Sequence, residues 1–295
     1  MAFEVGVTPE DTGPFADSAF APVAPAGALP VAYTSAMRDG EGGDIPAIVT
    51  LDELVVHLHA LTERYTSEGS RLGYFAALYY LMTRRVAEGM VSGRFQQPER
   101  MQRLACHFAS RYLSAVRRFD GDRPTPASWM VAFETAARWR PLILQHLFLG
   151  MNAHINFDLG IAAAEVAGSA GLAAARQDFD EINDVLAELM DDVQIRIGRV
   201  SPWMRLVDLA GGRTDEAIMN FSMRKARAAA WAVAESFASV DDRRRVAAER
   251  DLDARVARFA KVIVRPGVLI SVASFPARLR ERSRPEDVIE ALSRT

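Results

Sequence analysis

Pro141-Leu-Ile-Leu-Gln145-His146-Leu-Phe-Leu-Gly150-Met-Asn152-Ala-His154-Ile-Asn156-Phe-Asp158 is the stretch that decides the fold. Its apolar residues fall on nearly every side of a helix with 3.6 residues per turn, the pattern of a helix enclosed by others. Polar groups inside such a helix need partners, because an unpaired buried donor or acceptor costs roughly 1–3 kcal/mol. A helix that must be surrounded implies further helices to surround it.

Reading outward, the flanks supply them. Pro141 opens the central helix, which fades near Gly168–Gly171. Upstream, Thr50-Leu-Asp-Glu53 reads as a capping box for a helix to about Tyr65, and Ser70 begins the next, closed by Gly89 to Gly93. Pro98 and Thr125-Pro126 stand where first-turn prolines belong, leading helices to about Phe119 and Trp139. Downstream, Asp178-Phe-Asp-Glu181 reads as another cap, followed by a stripe of Phe179, Ile182, Leu186, Leu189 and Val193. Gly211-Gly212 breaks the chain before Thr214-Asp-Glu216, which opens a helix to Phe237. Asp241 to Val264 is an arginine-laced helix, and Pro266, Pro276 and Pro285 punctuate short terminal ones. No segment alternates apolar and polar residues as a half-buried strand would. The expectation is an all-α single domain of about nine or ten helices over residues 49–295, preceded by an extended arm at residues 1–48 rich in Pro, Gly, Ala and Asp.

Composition removes several function classes. A net charge of −3, with only local arginine runs, argues against a nucleic-acid partner. No apolar run approaches the roughly 20 residues needed to span a bilayer. The first arginine is Arg38, so the basic start of a secretory signal is missing and a cytoplasmic location is expected. Cys106 is the only cysteine, which excludes an internal disulfide; its apolar helical setting suggests an inert core thiol. Lys225 and Lys261 are the only lysines, an arginine preference that suggests a GC-rich bacterial source. Dinucleotide, P-loop, zincin and nucleophile-elbow patterns are absent. Along the arginine-laced helix, the series Arg243 to Arg258, alternating with Asp241 to Asp253, reads as a solvated, ion-paired face.

Chemistry is concentrated in the central helix. At 3.6 residues per turn, His146, Gly150, His154 and Asp158 form one row, while Gln145, Leu149, Asn152 and Asn156 lie nearly opposite. Gly150 leaves room between the two histidines for a partner helix or a ligand. His154 and Asp158 are the tightest pair, since a carboxylate four residues on can orient an imidazole and stabilise its protonated form. That makes His154 and Asp158 the candidate catalytic pair, with His146, Asn152, Asn156 and Gln145 as candidate substrate-binding residues. The same pair has metal-ligand spacing, yet needs a third ligand from Asp178, Glu181 or His107. A third alternative is that these groups only cross-link helices.

At Gly150-Met-Asn-Ala-His-Ile-Asn-Phe-Asp158 the chain resembles a bacterial family, domain of unknown function number 5995. The resemblance extends through Asp178-Phe-Asp-Glu-Ile-Asn183 and Ala226-Arg-Ala-Ala-Ala-Trp231, covering roughly residues 50 to 270. It implies a helical bacterial protein and brings no established activity. The chain also looks like members tied to actinobacterial natural-product pathways, which implies ring closure of a polyketide-type chain by dehydration and conjugate addition. The resulting expectation is a cofactor-independent cyclase or lyase acting on a lipophilic small molecule, with no metal. A metal-dependent hydrolase or oxygenase, a non-enzymatic binding protein and a homodimer remain open.

Overall fold

The computed structural model describes residues 48–200, 223–265, 281 and 284–294. Among them the structure is all-α: α1 (Leu51–Ser67), α2 (Gly73–Val91), α3 (Pro98–Asp120), α4 (Ala127–Ala136), α5 (Ile143–Met151), a π-helical segment (Asn152–Leu159), α6 (Gly160–Val200), α7 (Met223–Ala238), α8 (Asp242–Val264) and α9 (Pro285–Ser293). No helix among the described residues is long and apolar enough to cross a membrane. The proposed N-terminal arm, the break at Gly211-Gly212, the cap at Thr214 and the prolines at 266 and 276 lie outside the described residues.

Local sequence accounts for several boundaries. Thr50 Oγ1 accepts from the Glu53 amide at 3.2 Å, and Glu53 Oε2 accepts from the Thr50 amide at 3.2 Å. This is the reciprocal capping box, which satisfies two amides that a helix start leaves unbonded. Pro98 sits in the first turn of α3, where its missing N–H is not needed.

Other helix starts are satisfied from far along the chain. Asp178, in the middle of α6, accepts from the amides of Gln96 and Gln97 at 2.7 and 2.8 Å and so caps α3. Asp253 of α8 does the same for α4, accepting from Ala127 and Ser128 at 2.6 and 2.9 Å. Glu281 accepts from Ile143 at 3.1 Å at the start of α5. The cap expected at Asp178 is therefore corrected: it is a cap, but for a helix some 80 residues earlier, and no helix begins there. Asp253 likewise leaves the expected solvated face of α8 to bond a neighbouring helix.

The central helix is enclosed, as its sequence requires. Its π segment touches α3, α4, α5, α6, α7 and α8, and every residue from Asn152 to Leu159 except Asn156 is buried. Its geometry departs from expectation. A single α-helix from Pro141 to about Gly168 is replaced by α5, eight residues bonded i to i+5, and then α6. A π turn is wider than 3.6 residues, and such segments are rare because their bonding is poorer, so tertiary contacts must offset the cost. The helix also does not fade at Gly168. It kinks there, with φ 61° and ψ 175°, and continues to Val200; glycine reaches this positive φ without Cβ strain.

Gly150 answers the question its position raised. A Cβ there would lie 2.4 Å from Phe75 of α2, so the missing side chain admits a partner helix rather than a ligand.

Candidate functional site

His154 and Asp158 come together, on the wider π turn. Asp158 is held by two donors: Arg111 Nε of α3 gives a hydrogen bond to Oδ1 at 3.1 Å, and Trp129 Nε1 of α4 gives one to Oδ2 at 2.9 Å. The side chain is 2% exposed, so these two donors take the place of the water that would otherwise bond the carboxylate oxygens. His154 Nδ1 faces the same Oδ2 at 3.6 Å, beyond hydrogen-bond length. Both ring nitrogens of His154 are buried without a hydrogen-bond partner.

Aromatic rings complete the enclosure. Phe108 stacks on the His154 imidazole with centroids 3.6 Å apart and planes 10° from parallel. Tyr79 meets it edge-on at 4.4 Å, and Phe75, Tyr112 and Trp129 lie at 5.6–6.0 Å. Four of these rings are buried, whereas Phe108 is partly exposed. Burial pushes the His154 pKa below its ordinary value; the Asp158 carboxylate pulls it back up and Arg111 adds to the lowering. The imidazole is thus neutral at neutral pH, in a site of low polarity. The same burial raises the Tyr79 phenol well above its ordinary range.

Arg111 links this pair to the surface. Its Nη1 lies 3.7 Å from Glu165 Oε2, and that oxygen meets exposed His107 Nε2 at 2.6 Å. His107 is therefore spent on Glu165, away from the His154 pair.

The other sequence-selected residues are placed as follows. Gln145 Oε1 accepts from the Leu142 amide at 2.9 Å, and its Nε2 donates to the Ile263 carbonyl of α8 at 2.7 Å. Asn152 donates to the Val256 carbonyl at 3.2 Å, and Asn156 donates to Asn152 Oδ1 at 3.0 Å. Gln145 and Asn152 thus tie the central helix to α8, and Asn156 braces Asn152 from the same helix. His146 is buried against Tyr74, with ring centroids 5.7 Å apart, away from the His154 cage. Glu181 pairs with Arg94 at 3.0 Å. Among the described residues no three of His, Cys, Asp and Glu converge as metal ligands would. Cys106 is buried, its thiol pushed up to about 11 by that burial.

Arg111, Trp129 and Phe108 escaped the sequence reading. One signal was there: Leu104, Phe108, Arg111 and Ala115 share a face of α3 at helical spacing. A cation in an otherwise apolar row needs an anion opposite it. Trp129 carried no comparable mark, since its indole partner lies 29 residues away.

The sequence profile of one family matches residues 51–266. The chain belongs to the family of unknown function DUF5995. No curated protein and no solved structure matches it. The DUF5995 span runs from α1 to just past α8, and the three sequence blocks of the resemblance all fall inside it. The second and third blocks bind each other: Arg227 of α7 donates to Asn183 Oδ1 at 2.8 Å and to the Phe179 carbonyl at 2.6 Å. Its guanidinium lies 4.2 Å from the Phe179 ring centre, and burial holds its pKa down to about 10. Phe179 in turn packs on Trp231 at 4.9 Å. Arg227 therefore bonds two neutral acceptors. A surface cleft of about 490 Å³ opens between α6 and α7, with Trp231 of the third block in its wall beside Leu172, Arg176 and Glu235. It does not reach His154.

Proposed function

We propose that this protein is an acid–base enzyme acting on an apolar small molecule at His154. The observation that carries this is a buried, neutral imidazole whose nitrogens are both unbonded, beside a carboxylate fixed by Trp129 and Arg111. Unbonded buried polar atoms are costly and rare, and they gather at sites whose partner arrives with a ligand. A π-helical segment at the same place is a second mark, because such segments occur often at functional sites.

In this reading Nδ1–H turns toward Asp158, leaving Nε2 as the base. Nε2 removes a proton from carbon next to a carbonyl, producing an imidazolium and an enolate. Asp158 stabilises the imidazolium across the 3.6 Å gap, which closes as charge develops. Returning the proton to a hydroxyl leaving group expels water; returning it to another carbon of the enolate completes an isomerisation, and if the enolate first adds to a conjugated C=C of the substrate, returning it to the new enolate carbon completes a conjugate addition. General acid–base catalysis of this type is worth about 10²–10⁴-fold. The aromatic walls exclude water and favour a largely apolar substrate. A cyclase or lyase of a natural-product pathway is the finer form of this proposal.

The metal-dependent alternative lacks a third ligand among the described residues, and both Asp158 oxygens already accept from strong donors. A purely structural role is favoured by one observation, the close packing of five rings around His154. Deuterium uptake separates these. Incubated in D2O with a panel of apolar ketones and β-hydroxyketones, the wild type should exchange or dehydrate at least one, and His154→Gln should not. No reaction above buffer across the panel, together with a His154→Phe variant at least as stable as wild type, would make the residue structural.

A further inference from the structure

Resting on the site proposed above, we infer that Glu165 and His107 are positioning residues for it: through Arg111 they set how firmly Asp158 supports a proton on His154, so that a surface histidine tunes the buried one. The geometry is a continuous chain of charged and titratable groups between two helices. His107 and Arg111 stand one turn apart on α3, and Asp158 and Glu165 stand on either side of the junction between the π segment and α6. Arg111 lies between the two carboxylates. Its Nε bonds Asp158 Oδ1 at 3.1 Å, while its Nη1 is 3.7 Å from Glu165 Oε2, an ion pair too long for a hydrogen bond. The inequality has a cause at that same oxygen, because Glu165 Oε2 already meets His107 Nε2 at 2.6 Å. His107 thus holds Glu165 back from Arg111, and Arg111 commits its bond to Asp158.

Exposure falls along the chain, from 44% at His107 through 27% at Glu165 and 20% at Arg111 to 4% at His154. A charge at the outer end therefore acts inward through a region less and less screened by water. Its sign follows from Coulomb's law. Arg111 disfavours a proton on His154 and Asp158 favours it. Glu165 offsets the guanidinium, and a protonated His107 offsets Glu165. Proton uptake at His107 leaves Arg111 less compensated and makes His154 the weaker base. The neighbouring groups do not reverse this. Arg245 of α8 acts on Glu165 as a permanent positive charge. Tyr79 of α2 and Tyr112 of α3 face His154, and burial keeps both phenols neutral. Trp129 of α4 carries no charge.

The test is an NMR titration of the full-length chain that follows the ring nitrogens of His154 and His107, each assigned by loss of its signals in His154→Gln or His107→Gln. In wild type the His154 signals should show an inflection at the midpoint of His107, apart from any protonation of their own. In Glu165→Gln, which keeps the shape at a partly exposed position, His107 still titrates but the inflection in His154 should be gone. The His154 pKa should also fall by about half a pH unit, roughly threefold in proton affinity, because nothing offsets the guanidinium. A mere brace would give the opposite sign: without it Arg111 would leave Asp158, and the His154 pKa would rise. Arg111→Met should erase the inflection and raise the His154 pKa. The inference is overturned if wild-type His154 ignores the titration of His107, if the inflection survives Glu165→Gln, or if that variant raises the His154 pKa or leaves it unchanged. Where acid unfolds the chain before His154 protonates, the inflection alone decides. Coupling without catalysed exchange in D2O would refute the catalytic proposal and leave the linkage standing; exchange with the same pH profile in wild type and Glu165→Gln would do the reverse.

Discussion

Trp129 gives its indole N–H to Asp158 Oδ2 at 2.9 Å, and that same oxygen faces His154 Nδ1 at 3.6 Å. The two donors compete for one lone-pair region, and in the resting structure the indole holds it. This relationship keeps the carboxylate oriented while leaving the histidine neutral and its nitrogens available.

Trp129→Phe tests that competition. The ring packing is largely kept, but Oδ2 loses its donor, so stability should fall by about 1–3 kcal/mol in chemical denaturation. His154 should then turn fully to Oδ2, and its imidazole should titrate at higher pH by NMR. A stability loss with an unchanged His154 titration would show that the two donors do not compete.

Gly150→Ala places a methyl 2.4 Å from the Phe75 ring, inside contact distance. Overpacking of this kind costs about 1–3 kcal/mol. Combining it with Phe75→Leu should recover part of the loss, visible as a coupling energy in a double-mutant cycle. Additive effects would mean that the helix moves instead of the ring.

Asp178→Ala removes the buried carboxylate that accepts from the amides of Gln96 and Gln97. We expect about 2 kcal/mol of destabilisation, at the upper end for a lost helix cap. Hydrogen exchange should accelerate first at the start of α3. Asp178→Asn, which retains one oxygen acceptor, should lose less.

Acid should weaken the fold through His154. Burial lowers its folded-state pKa, so below about pH 6.5 the unfolded chain binds a proton that the folded chain refuses. Stability is therefore full above about pH 6.5 and falls on acidification, with a slope of up to about 1.4 kcal/mol per pH unit from this group. Buried His57, its pKa also lowered chiefly by burial, contributes in the same direction. Denaturation of His154→Gln at several pH values should show a shallower dependence with the His57 part remaining. An unchanged slope would mean that His154 is protonated in the folded state.

Much of the architecture was legible before any coordinates. The Thr50–Glu53 box and Pro98 mark helix starts by local bonding alone, and they stand where expected. The His154–Asp158 pair was also visible, because four residues keep two side chains adjacent on an α turn and on the wider π turn alike. What failed was the uniform 3.6-residue period through Asp158, and with it the two neat polar rows. Asp178 was legible as a cap but not as whose.

The sequence by itself determined that helices form, that one of them is enclosed, and that a histidine and a carboxylate meet inside it. These follow from bonding and apolar periodicity within a few residues. Only the tertiary structure decided the π bonding at Asn152–Leu159, the grip of Arg111 and Trp129 on Asp158, the ring of Phe108 over His154, and the capping of α3 and α4 by Asp178 and Asp253. Each of these joins residues from 29 to more than 100 positions apart or depends on such contacts. Side-chain spacing along the chain carries no record of which distant helix will supply the partner, and packing makes that choice.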